Sequence, residues 1–156
     1  MLVACGGSFG SAEQALESGI AVVDVASSPA RLARVISAVA FPTPPVTFAW
    51  VVPMPTATGG ATRAFTSTLG SFSPSAPDHL YQFDFVTGAT MSFGTASPFD
   101  LGKPAGGNGR LLLPDAKASA PRVHVFDASG AGVPTETTAF VPDAASGLPP
   151  REVGWY

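Results

Sequence analysis

From residue 20 to residue 141, apolar and polar side chains follow one another in short runs, mostly of period two, rather than at helical spacing. The clearest case is Tyr81-Gln82-Phe83-Asp84-Phe85. In an extended chain this places three aromatics on one face and two polar residues on the other. Val46, Phe48, Trp50 and Val52 are expected to share a face in the same way, as are Val123 and Val125. Nine strands are expected on this basis, over 20–25, 32–41, 46–52, 62–69, 80–86, 90–93, 110–113, 122–126 and 137–141. Each is rich in β-branched and aromatic residues and bounded by Gly, Pro, Ser, Asn or Asp. One stretch reads differently. Ser11 followed by Gln14 has capping-box spacing, and Gly19 supplies a stop, so a short helix is expected over 12–18.

These elements define an expected fold class: all-β, an antiparallel β-sandwich or jelly roll with one short N-terminal helix and long Pro/Gly-rich loops. The expected organisation is an N-terminal segment, 1–19, and a single sandwich domain over 20–156. The inner faces of two opposed sheets are expected to bring Val46, Phe48, Trp50 and Val52 against Tyr81, Phe83 and Phe85. The connections 53–61, 70–79, 95–109 and 142–154 are long, and such loops often carry function.

Composition sharpens this picture. Charged residues make up 12% of the 156, about half the share in an ordinary soluble domain. Eleven Phe, two Trp and two Tyr argue for a packed core despite 17 Gly and 16 Pro. The net charge is −3, and the nearest approach to a basic cluster is Arg31 with Arg34. At most weak nucleic-acid contact is expected, because phosphate binding needs clustered cations. Arg31 and Arg34 also interrupt the most apolar stretch, so no membrane-spanning helix is expected.

The residues that could carry chemistry are few. His79 and His124 are the only histidines, and the single Cys5 bears no ligand-like spacing to either. A switch that charges near neutral pH is the one special role open to His124. Ser8, in Gly6-Gly7-Ser8-Phe9-Gly10, lacks the strand-turn-helix context of a nucleophile elbow. The glycine-rich run 102–109 precedes a strand and no helix, so it reads as a flexible loop rather than a phosphate cradle. Asp84, Asp100, Asp115, Asp127 and Asp143 sit near turns or strand ends, and Asp127-Ala128-Ser129-Gly130 reads as a turn. The expectation is a non-enzyme with no catalytic residue, no metal site and no cofactor.

Two segments carry a family resemblance. Arg31 to Val35, leading through Phe41-Pro42-Thr43-Pro44-Pro45 into Val46-Thr47-Phe48-Ala49-Trp50-Val51-Val52-Pro53, resembles coat proteins of small icosahedral viruses of the tymovirus and marafivirus type. Ala120-Pro121-Arg122-Val123-His124-Val125 is similar to the start of a late strand in the same family. The family's middle Cys-Pro-Leu segment has no counterpart here. The resemblance implies an eight-stranded jelly roll that closes into a shell. A second resemblance competes: Ala4-Cys5-Gly6-Gly7 with Phe48-Ala49-Trp50-Val51-Val52-Pro53-Met54-Pro55 is similar to a bacterial secreted family of unknown function, whose second Cys is absent here.

Low charge and aromatic-faced strands suit a subunit covered by copies of itself. The expected function is therefore a non-enzymatic structural subunit of a virus particle, either capsid shell or head-decoration protein. It would self-associate or bind other virion proteins and reside in the virion. The alternative is a truncated bacterial lipoprotein or secreted envelope or binding protein, because Leu2-Val3-Ala4-Cys5 reads as a lipobox. Only four residues precede Cys5 and none is basic, so that route needs a longer precursor from an earlier start codon.

Overall fold

The computed structural model describes residues 1–6, 18–42, 47–54, 62–69, 78–94, 100–117, 119–142 and 149–154. Among them are eleven strands: β1 Leu2–Cys5, β2 Gly19–Asp24, β3 Arg31–Ser37, β4 Thr47–Pro53, β5 Arg63–Leu69, β6 Leu80–Asp84, β7 Thr90–Phe93, β8 Ala105–Gly107, β9 Arg110–Asp115, β10 Arg122–Asp127 and β11 Thr135–Phe140. A single 3₁₀ turn, Ala38–Ala40, follows β3. The helix expected over 12–18 lies outside the described residues except for Ser18.

The protein is all-β, and every named strand pair is antiparallel. The strands form three sheets, ordered β1-β2-β3, β4-β5-β6-β7 and β11-β10-β9-β8. Neighbours in each sheet are consecutive in the chain, so the described pairings are meanders without a crossover.

The second sheet is the centre of the molecule because both of its faces are covered. On β5, Ala64 and Phe65 point to opposite sides, and each enters a different core cluster. One cluster joins Phe65, Leu80 and Met54 to Leu101, Leu111, Leu113, Phe126 and Ala128 of the third-sheet side. Phe93 of β7 meets Phe126 of β10 edge to face at 5.5 Å, a contact between sheets. The other cluster joins Phe48, Ala64, Tyr81 and Phe83 to Ile20, Ile36 and Ala38 of the first-sheet side, with Phe41 between them. The Phe41 ring lies 4.8 Å from Phe48 and 5.0 Å from Tyr81.

This layering bears out one expectation about faces and corrects another. Tyr81 and Phe83 share a buried face, and Phe85 packs against it. The expected face Val46, Phe48, Trp50, Val52 does not exist. A bulge in β4 between Phe48 and Trp50 shifts the pairing with β5 by one residue. After it, Val51 joins the Phe48 side, while Val52 packs against the opposite cluster. Trp50 reaches the rim, 41% exposed, with the Lys103 ammonium 5.8 Å above its ring. Val46 lies outside the described residues. Nor do β4 and β6 face each other from opposed sheets, since both pair with β5 in one sheet.

A second correction concerns residues 102–109. Ala105–Gly107 is strand β8, paired with β9 through Asn108 and Gly109. Both turn residues have positive φ, 47° and 71°, as a two-residue primed hairpin turn requires. Gly102 is also fixed in place, since a Cβ there would lie 2.0 Å from the Arg151 carbonyl oxygen.

Candidate functional site

Two places on the molecule stand out, one for its polar chemistry and one for its lack of polarity. The first is on the core side of the third sheet. Leu111, Leu113 and Asp115 alternate along β9, and His124 and Phe126 along β10, so Asp115 and His124 extend the row that supplies the core. The imidazole Nδ1 of His124 lies 2.7 Å from Oε1 of Glu136 on β11. Its Nε2 lies 3.4 Å from Oδ2 of Asp115 on β9. Asp115 is held in turn by the N–H groups of Asp100 and Lys117, which donate to its Oδ1. One buried ring thus ties three strands together. Both ring nitrogens are engaged by carboxylates, so neither is open as a metal ligand or general base.

His79 lies elsewhere, its ring 5.9 Å from that of Tyr81. The structure does not bring the two histidines into one site. Among the described residues no group of three His, Cys, Asp or Glu is set out to hold a metal ion. Ser8 and Asp143 lie outside the described residues. The remaining aspartates do the work of turns and ties. Asp127 accepts from the Ser129 N–H and hydroxyl. Asp84 accepts from the Val86 and Thr87 N–H groups and the Thr62 hydroxyl. Asp100 accepts from Arg151 at 3.0 Å.

Arg63 was not singled out by the sequence. It is buried, and its guanidinium donates to the carbonyls of Ala128, Gly130 and Gly132. Burial lowers its pKa from the usual guanidinium value. The side chain pins the β10–β11 loop to the central sheet. Outside that loop lies a cleft of about 360 Å³ lined by Asp127, Ser129, Gly130, Gly132, Val133 and Thr135 among others.

The second place is the solvent side of the first sheet. Leu2, Ala4, Val22, Ile20 and Ile36 turn toward the core. The alternate residues therefore turn outward: Val3 and Cys5 on β1, Ala21 and Val23 on β2, Val35 on β3. The register sets Val3, Ala21 and Val35 in one row across the sheet. A bulge between Val22 and Val23 brings Leu32 opposite Val23, and so onto the same face. Leu32 is 62% and Val35 58% exposed. None of these outward residues is charged. Arg34 pairs with core-facing Val22 and Arg31 with Asp24, which places both arginines on the other side of the sheet. The signal for this face was present in the unbroken apolar run Ile20-Ala21-Val22-Val23, which leaves a strand with two apolar faces.

Comparison with protein-family models, curated proteins and solved structures finds no match to the chain. Among the described residues, no helix is long and apolar enough to cross a membrane.

Proposed function

We propose that this protein is a non-enzymatic structural subunit that acts by self-association, as the shell or head-decoration protein of a virus particle. In this reading the two four-stranded sheets are the halves of a sandwich, and the first sheet is its contact element. The observation that carries it is where the exposed apolar side chains fall. Among the described residues twelve large hydrophobics stand exposed, and six of them, Met1, Val3, Val25, Leu32, Val35 and Val39, belong to the first sheet or its ends. Monomers rarely expose contiguous apolar patches larger than a few hundred Å², and the largest such patch on a protein is often functional. The low overall charge lets copies approach closely, and at most weak contact with nucleic acid is expected.

The lipoprotein alternative has less support. Cleavage before Cys5 would remove Leu2 and Ala4, both packed against the core. Negative-stain microscopy of the purified protein tests the proposal. Rings, shells or regular clusters support it, and uniformly single particles at concentrations well above micromolar contradict it.

A further inference from the structure

We infer that Asp115, His124 and Glu136 form a proton-operated latch on β11, closed while the ring is charged and opened when the cluster loses its second proton. The inference goes beyond the self-association reading and does not depend on it. The strand concerned is the edge of its sheet, paired with β10 alone. A register shift between Val125 and Phe126 interrupts that pairing just where Glu136 lies opposite Phe126. The contact between Glu136 and His124 therefore supports the edge strand where its backbone ladder is irregular.

The geometry calls for the charge. Nδ1 lies 2.7 Å from Glu136 and Nε2 3.4 Å from Asp115, whereas a neutral imidazole carries a single N–H. Only the imidazolium donates to both carboxylates, and a neutral ring sets a lone pair against one of them. A proton on Asp115 Oδ2 opposite a neutral ring makes the same bond, so that proton belongs to the cluster. No other cation takes its place. Among the described residues, neither Asp115 nor Glu136 forms an ion pair with Lys or Arg. Arg122, on the same side of β10 by alternation, donates through Nε to the Ala120 carbonyl. Lys117 and Asp100 meet Asp115 through their backbone N–H groups, and the Asp100 carboxylate takes Arg151. Asp78 accepts from the Leu101 N–H.

Burial decides which bond opens. The Asp115 side chain is 5% exposed and its Oδ1 is held by two N–H groups, which keep it from turning to water. The Glu136 side chain is 26% exposed and has a way out. Leaving a buried charge without a partner costs far more than releasing one that reaches water. As pH rises, the second proton leaves to solvent, and the remaining N–H stays on Asp115. The Nδ1 lone pair then faces Glu136, which swings outward and loosens β11.

Histidine ordinarily changes charge between about pH 5 and 8, so NMR from about pH 5 to about pH 9 tests the latch. The ring nitrogens of His124 report its charge, and the exchange protection of the Thr135–Phe140 amides, corrected for intrinsic exchange, reports β11. The Arg110–Asp115 amides of β9 serve as the internal reference. The natural chain is compared with Glu136→Gln. Glutamine offers its carbonyl to a charged ring and, with the amide flipped, its N–H to a neutral one, so it bridges in both states. The inference expects the natural chain to lose about tenfold in β11 protection relative to β9 as the His124 ring becomes neutral, at the same midpoint. The variant is expected to keep its β11 protection while its ring still titrates. A ring that holds one charge state across the range overturns the inference, as does β11 protection indifferent to its ionisation. Equal loss in β9 and β11, or a loss that follows the His79 ring instead, also overturns it. A variant that loosens like the natural chain takes Glu136 out of the latch and overturns it too. The natural chain decides the other points by itself, so they stand tested even if the variant fails to fold.

Discussion

Gln82 is flanked in the central sheet by Phe65 on β5 and Met91 on β7. Its side-chain oxygen is buried and has no hydrogen-bond partner among the described residues. Strand alternation reads Gln82 as solvent-facing, but the side it occupies is the one toward the third sheet. A buried amide oxygen without a partner costs about 1–3 kcal/mol, whereas an apolar side chain of similar length fits at no such cost. Gln82→Met is therefore expected to stabilise the protein by about 1 kcal/mol, read as a higher urea midpoint at unchanged m-value. A lower midpoint would show that the amide is satisfied. Asp84, two residues on, gives the pH counterpart. Its burial alone would raise the carboxyl pKa, but hydrogen bonds from the Thr62 hydroxyl and the Thr87 and Val86 N–H groups outweigh this and lower it. The stabilisation is present above the unfolded carboxyl value of about 3.9, and is lost as pH falls toward the lower folded value. Asp84→Asn is expected to lower Tm at neutral pH and to shrink the gap to the natural chain as pH falls to about 2. An equal gap at every pH would remove the carboxylate from that account.

At the scale of elements, β4 decides how far alternation can be trusted. The bulge turns Trp50 away from the aromatic cluster of Phe41, Phe48, Tyr81 and Phe83. Phe83→Ala is expected to cost about 3–5 kcal/mol, the usual loss for a buried aromatic. Trp50→Ala, at a site 41% exposed, is expected to cost less than half as much by urea denaturation. Equal losses would place Trp50 in the core after all. The same reasoning shows what was legible in the sequence. Strand positions from β2 to β7 and β9 to β11 were readable because β-branched and aromatic runs end at turn residues. The bulge was not, since Phe48-Ala49-Trp50 carries no local mark of an extra residue. The β8–β9 hairpin had a signal, Asn108-Gly109, hidden by the weak strand propensity of Ala105-Gly106-Gly107. At the polar site, His124 was readable as a strand residue, but Asp115 and Glu136 were not readable as its partners. Register alone brings them together, diagonally across β9, β10 and β11.

At the scale of the whole molecule, three sheets share two cores, and the central sheet is covered on both faces. The outer side of the first sheet is left apolar and in water. The proposed self-association makes this element the place where copies would meet. The measurement that tests this most directly is sedimentation velocity of the natural chain over a concentration series from about 1 μM to about 1 mM, a range that spans reversible subunit contacts. The account predicts a sedimentation coefficient that rises with concentration through the micromolar range. A single monomeric boundary across the whole series would contradict it.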